Sequence, residues 1–310
     1  MSKPAPAQNA AAVAVVAAMV AAAELLGERE IIFPEMAALA VGMLAAPRRP
    51  WQTSRSRTAL LIAVCAITGV LIVRYVHAPL WAQMSLAFLL CQLLFVSSGT
   101  TFAPMTSAMV LPVFLGTTSW VYPAAAIILT LAMGAVQLIF ERLGARERET
   151  FTPRPLPGGR EMAELLLRVA AAAAVIFAAM AAGARFCVVP PLLVAFTEFS
   201  NRNCSARKAP VETVLLIALC ACAGSLCRIA ADELALPLTV AAAAAFAMAL
   251  FVMHRTARYL PPAGAMSVLP MLLERSDAAV FPLQVTAGAA VLMALAMLLF
   301  PKRAEETAAA

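Results

Sequence analysis

The stretch YLPPAGAMSVLP, Tyr259 to Pro270, decides how this chain is read. Two adjacent prolines and a glycine open an apolar run that otherwise has the character of a membrane helix. Earlier, FAPMTSAMVLP (Phe102–Pro112) is broken in the same way: Pro104 answers Pro262, Val110 answers Val268, Leu111 answers Leu269 and Pro112 answers Pro270, all 158 residues apart. A proline in the first turn removes no internal hydrogen bond, because the first N–H groups of a helix have no partner within it. The same break made twice points to an internal repeat whose short helices begin part-way through a membrane.

The repeat extends over nearly the whole chain. Gly27 and Gly183, Arg29 and Arg185, and Pro34 and Pro190 align 156 residues apart. TALLIAVCAITG (Thr58–Gly69) matches TVLLIALCACAG (Thr213–Gly224), with Cys65 on Cys220 and Gly69 on Gly224. Pro79 matches Pro237, Phe88 matches Phe246, and VYP (Val121–Pro123) matches VFP (Val280–Pro282). The N-terminal apolar run mimics a signal peptide, but its counterpart at 164–184 makes it the first helix of a repeat. The expected division is a first membrane repeat at 1–141, a charged, Pro/Gly-rich linker at 142–163, a second repeat at 164–303 and a tail at 304–310.

Composition excludes a soluble domain. Hydrophobic residues make up 63% of the chain and charged residues 13%, with a mean hydropathy of +0.88, against roughly half and a quarter in soluble proteins. The expected fold is an all-α polytopic membrane protein with about twelve transmembrane or partly spanning helices. These form two parallel tandem repeats of six segments, at 10–26, 31–46, 59–76, 79–97, 102–116 and 121–141, then 164–184, 186–199, 211–231, 235–254, 261–273 and 281–300. Spanning the hydrocarbon takes about 20 helical residues. The segments 31–46, 102–116, 186–199 and 261–273 fall short of that, at corresponding places in both halves.

The net charge of +6 is explained by placement rather than by nucleic acid. With twelve crossings and the N-terminus inside, seventeen basic residues fall on the cytoplasmic side: Lys3, Arg48, Arg49, Arg55, Arg57, Arg142, Arg146, Arg148, Arg154, Arg160, Arg202, Arg207, Lys208, Arg255, Arg258, Lys302 and Arg303. Five fall outside, Arg29, Arg74, Arg185, Arg228 and Arg275, while Arg168 lies within a helix. This bias follows the positive-inside rule and places both termini in the cytoplasm of a multi-pass plasma membrane protein, for which a bacterial inner membrane is expected. Six crossings per half is even, so the halves are expected to be parallel rather than inverted.

The two proline-led starts are the candidate binding elements. Their free N–H groups and positive dipole ends, with the hydroxyls of Ser98, Thr100 and Thr101 and the guanidinium of Arg258, suit a small anion. Pro104, Pro261 and Pro262 shape the starts, and Gly264 would let a ligand approach the backbone. Across the repeat axis, Ser98, Thr100 and Thr101 are expected to converge with Arg258 and Gly264. The plainer alternative is capped helix starts with arginines snorkelling to the surface. Glu35 and Glu198 lie inside short segments; a charge at membrane depth is costly, which makes both candidates for proton coupling. Arg168 reads as an i,i+4 partner of Glu164, and Gln83, Gln92, Gln137 and Gln284 as hydrogen-bonders between helices.

Seven cysteines, mostly in apolar runs, and only two histidines give no metal-ligand pattern. No cofactor is expected, and no nucleophile elbow, phosphate loop or metalloprotease motif is present, so the chain does not read as an enzyme.

At RYLPPAGAMSVLPMLL (Arg258–Leu273) the sequence resembles the HPP family of integral membrane proteins, named for a His-Pro-Pro motif usually continued as Ala-Gly-Ala. Pro261, Pro262, Ala263, Gly264 and Ala265 match, with Leu260 at the histidine position. The stretch VAFTEFSNRNCSARKAPVETVLLIALCACAG (Val194–Gly224) is similar to a second signature of that family. The likeness covers about 186–300 well and 31–141 more loosely, as two fused HPP-type units. Some plant and cyanobacterial members are associated with nitrite transport. The resemblance therefore implies a transporter-like fold and a small, anionic, nitrite-like solute. The expected partners are that solute, the lipid bilayer and a second copy of the chain in a homo-oligomer, with no nucleic acid. A non-transporting membrane scaffold, or the membrane subunit of a larger complex, is the competing expectation.

Overall fold

The computed structural model describes residues 6–147, 151–155 and 157–301, and every regular element among them is a helix. Lys3, Arg148, Lys302, Arg303 and the tail at 304–310 lie outside the described residues. The first six helices are α1 (Pro6–Leu26), α2 (Glu35–Ala40, continued by a π-turn at Val41–Ala45), α3 (Arg55–Tyr75), α4 (Leu80–Ser97), α5 (Met105–Leu115) and α6 (Val121–Arg142). The next six are α7 (Gly159–Ala181), α8 (Pro190–Phe199), α9 (Pro210–Glu233), α10 (Leu238–Thr256), α11 (Pro261–Val268, continued by a 3-10 turn at Leu269–Leu272) and α12 (Arg275–Leu299). Eight of them, all but α2, α5, α8 and α11, are apolar enough and, at 18 to 25 residues, long enough to cross a membrane. The chain is a multi-pass membrane protein.

Hydrogen bonds sort the connections into two ends. At the end that carries the linker, Gln8 Nε2 donates to Ala145 O at 2.8 Å, Arg57 Nη1 to Ser98 O at 2.7 Å and Arg202 Nε to Pro301 O at 3.0 Å. At the far end, Glu24 accepts the backbone N–H of Leu238 at 2.6 Å and of Thr239 at 2.9 Å, Arg74 donates to Thr118 O at 2.7 Å, and Thr117 donates to Glu30. Successive connections alternate between the ends, so each helical segment, short ones included, is entered from one end and left toward the other. Both ends of the described chain lie at the linker end. Of the seventeen basic residues assigned to that side, the thirteen that are described lie there or at the adjoining helix ends, against five at the far end.

The four short helices form the centre. Every residue of α2, its π-turn and α11 is buried, as is all of α5 except Leu115 and all of α8 except Glu198. α2 packs on α11 and α5 on α8, while the long helices enclose them, α1 against α10 and α4 against α7. The long helices turn Leu60, Ile128, Leu166, Phe177, Leu215, Phe251 and Leu298 outward, as lipid contact requires. This division has a physical cause: broken backbone at membrane depth survives only where protein surrounds it, since lipid offers no hydrogen-bond partners.

Residues paired in the sequence make the same contact in the fold. Gly69 of α3 lies against α5 so closely that an added Cβ would meet Met109 O and would sit 2.5 Å from Pro112 Cγ. Gly224 of α9 lies against α11 likewise, where a Cβ would be 2.5 Å from Ser267 O and 3.0 Å from Pro270 Cγ. Small residues permit such approach where lipid supplies no hydrophobic drive between helices. Pro112 has no N–H for the carbonyl of Ala108, four residues earlier. The buried Tyr122 hydroxyl donates to that carbonyl instead, at 2.9 Å.

Candidate functional site

A cavity of about 910 Å³ opens at the linker end, where the irregular segments of both halves meet. Its wall includes Thr100 and Thr101 before α5, Thr197 and Glu198 at the end of α8, Leu260 and Pro261 at the start of α11, and Arg168 of α7. The volume lies within the range of small-ligand pockets.

Arg168 enters the wall from within a membrane helix. Its Nη1 donates to Gln92 Oε1 at 2.9 Å, and Gln92 Nε2 donates in turn to Thr197 Oγ1 at 2.8 Å, which donates to Leu193 O at 2.9 Å. This relay ties α7, α4 and α8 together and fixes the guanidinium. Its Nε–H is buried with no hydrogen-bond partner. The expected i,i+4 pair with Glu164 does not form: Glu164 is taken by Arg202 at 2.8 Å and Arg160 at 3.2 Å. A planar donor held by a neutral amide, with an N–H to spare, is suited to an anion or a carbonyl group.

Opposite stands Glu198, whose Oε1 accepts Trp51 Nε1–H at 2.8 Å. The same indole lies flat enough on the π-turn of α2 that a Cβ on Gly42 would collide with it. In the repeat alignment Gly42 occupies the place of Glu198, so the tryptophan fills the space that the first half leaves bare and bonds the acid that the second half supplies. Arg146 closes the neighbouring end of α2, donating to Leu44 O at 2.9 Å, Ala46 O at 2.8 Å and Gly42 O at 3.2 Å. Burial lowers the pKa of this guanidinium to about 10, which still leaves it charged at neutral pH. Cys204, in the loop after α8, also lines the cavity. Its thiol is pushed up to about 11 by burial and by the nearby Glu198 carboxylate, so it is no nucleophile at neutral pH.

The residues singled out in the sequence divide. Thr100, Thr101, Pro261 and Glu198 share the cavity wall. Ser98, Pro104, Arg258, Pro262 and Gly264 are not among its lining residues, and the expected convergence of Ser98, Thr100 and Thr101 with Arg258 and Gly264 does not occur. Ser98 and Thr100 bond each other at 2.8 Å and cap local backbone, and Thr101 Oγ1 accepts Gln52 N–H at 2.7 Å. Arg258 pairs with Glu212. Gly264 faces α2, where an added Cβ would be 2.8 Å from Val41 Cγ2 and 3.2 Å from Ala37 O. It is a helix crossing rather than part of the cavity wall. The pairing of α11 with α2, and of α5 with α8, keeps the two proline-led helices from facing each other.

Glu35 lies apart from the cavity, sealed at the far end of α2 with 1% exposure. Among the glutamines, Gln92 bridges helices as expected and Gln284 accepts Phe186 N–H at 3.0 Å, while Gln83 bonds Val76 O and Gln137 bonds Glu141 on its own helix. Arg168 is the cavity residue that sequence reasoning assigned elsewhere. Its signal was an arginine nine residues past the start of an apolar helix, Gly159–Ala181, which local charge spacing masked. Among the described residues no cluster of three or more metal-ligating side chains occurs.

Comparison with family models, with curated proteins and with solved structures gave no match to this chain. The class rests on the fold: a multi-pass membrane protein with a polar cavity between its two halves.

Proposed function

We propose that this protein is a secondary transporter of a small anion, built as two parallel six-helix repeats, with the linker end in the cytoplasm. The observation that carries the reading is the single cavity shared by the broken segments of both halves, with the buried, unpaired Nε–H of Arg168 in its wall. Paired interrupted helices are the most direct pointer to a solute site in a carrier. An intramembrane arginine without an ion pair needs a partner of opposite charge during its working cycle. The resemblance at Pro261–Ala265 to HPP-type proteins makes nitrite the first solute to try. The basic excess at the linker end supports its cytoplasmic placement, and the even number of passes in each half supports the parallel repeat.

Purified protein in liposomes, screened with nitrite, nitrate, formate and small carboxylates, tests the function. Uptake of one of these is expected, reduced at least tenfold in Arg168→Gln, which keeps a polar side chain but loses the charge. Uptake of a cation or a neutral solute, with all anions refused, overturns the anion reading. Topology is tested separately by single cysteines at Asn203 and Ser276 in a cysteine-free background. Both positions are exposed, at the linker end and the far end respectively. Labelling from opposite sides of the membrane is expected, with Asn203→Cys reactive from the cytoplasm.

A further inference from the structure

Away from the cavity, the first half holds a second buried acid that nothing in the anion reading uses. Glu35 opens α2, and neither of its carboxyl oxygens has a hydrogen-bond partner. Ser107 of α5 is the side chain within reach of the carboxyl; its hydroxyl is fully buried and makes no well-formed hydrogen bond. Among the described residues no ion pair includes Glu35, and the groups around it offer none. On α6, Tyr122 lies within electrostatic reach of both Glu35 and Cys65 of α3, but its hydroxyl is committed to Ala108 O. Cys65 is a buried free thiol, and its neighbour Cys91 of α4 donates to Thr106 Oγ1 at 3.6 Å. α11 carries no titratable residue over 261–268, and the acid of α1, Glu24, is bound at Leu238 and Thr239. Nearer the surface, Glu30 accepts the Thr117 hydroxyl with one oxygen, while its other oxygen is buried and free.

We propose that Glu35 and Ser107 form a buried proton-binding site between α2 and α5, loaded from the far end of the molecule past Glu30. An isolated carboxylate in such surroundings costs many kcal/mol, so a carboxyl sealed there is carried as the neutral acid and ionises only when water reaches it. As packing, the acid contributes nothing that alanine or methionine would not, and it leaves three polar atoms, two on Glu35 and one on Ser107, without partners. A proton shared between the Glu35 carboxyl and the Ser107 hydroxyl satisfies both groups after a small relative shift of α2 and α5. In the proton step the carboxylic O–H bond breaks, the proton passes to water at the far end, and the carboxylate keeps the electron pair; no oxidant or co-reactant is involved. The site does not depend on the identity of the solute.

Infrared difference spectroscopy of the full chain in lipid, titrated from acid to alkaline pH with no solute present, reads this directly. A protonated-carboxyl C=O band that disappears at alkaline pH is expected, absent in Glu35→Gln and retained in Glu198→Gln. Ser107→Ala is expected to keep the band but move its frequency, because the hydrogen-bond partner is gone; this variant tests the site even if Glu35→Gln fails to fold. A band removed by Glu198→Gln instead, a Glu35 band that does not titrate, or a band that Ser107→Ala leaves in place overturns the proposal.

Discussion

Gly69 beneath Pro112 and Gly224 beneath Pro270 make one contact twice, yet the polar groups around the two crossings share almost nothing. The first half sets Glu35 against Ser107, has the end of α2 closed by Arg146 of the linker and answers the carbonyl freed by Pro112 with Tyr122. The second half has Pro191 near the place of Glu35, Phe281 in place of Tyr122, and Glu198 where the first half has Gly42. Helix crossings were kept because a missing side chain has no substitute where two backbones touch. Polar groups were free to diverge, because each needs only some partner. The two halves consequently carry two acids in opposite settings, one sealed and unpaired at the far end, one held by a tryptophan beside an open cavity.

The strongest way to break this comparison is at the crossings. Gly69→Ala and Gly224→Ala each force a Cβ into a neighbouring carbonyl, and each is expected to cost about 3 kcal/mol or more. Thermal unfolding in detergent measures it; near-native stability in either variant would show that its crossing is looser than the other. Arg146→Ala comes next. It removes three charge-assisted bonds to carbonyls at the end of α2, with an expected loss of about 3 kcal/mol. A loss well below 1 kcal/mol in the same unfolding assay would mean that water replaces the guanidinium.

Smaller effects sharpen the difference between the halves. Trp51→Phe deletes the N–H bond to Glu198 together with the far edge of the indole that lies against Gly42, for which about 2 kcal/mol or more is expected. Tryptophan-to-phenylalanine exchange with no change in stability would place Glu198 on water rather than on the indole. Tyr122→Phe should cost about 1 kcal/mol by leaving Ala108 O without a donor, whereas Phe281→Tyr in the second half should bring no gain. Equal responses of the two variants in chemical denaturation would show that the carbonyl freed by Pro112 does not need the hydroxyl.

Much of the architecture was legible in the chain because hydrocarbon imposes a length rule and a polarity rule on every segment. Arg55–Tyr75 and Pro210–Glu233 announce themselves by apolar length, and the short segments by prolines recurring at a fixed spacing. Gly69 with Pro112, and Gly224 with Pro270, were visible as matches, although nothing in the sequence said that they touch. The candidate site was less legible. Thr100, Thr101, Pro261 and Glu198, which broken helices and an intramembrane acid single out in the sequence, line the cavity. Arg258 and Gly264 were misplaced because the same residue types serve equally as a surface ion pair and a helix crossing.

By itself, then, the sequence determined a membrane-embedded helical chain, the approximate extent of its segments and the end that gathers positive charge. These follow from transfer energies and local backbone rules, which act residue by residue. Only the tertiary structure decided that α2 meets α11 and α5 meets α8, that Arg168 turns to Gln92 rather than Glu164, and that Trp51 reaches Glu198 from 147 residues away. Lipid is indifferent to which apolar helix lies beside which, so pairing is set by the fit of small residues and the satisfaction of buried polar atoms. Those quantities exist only once the helices are assembled.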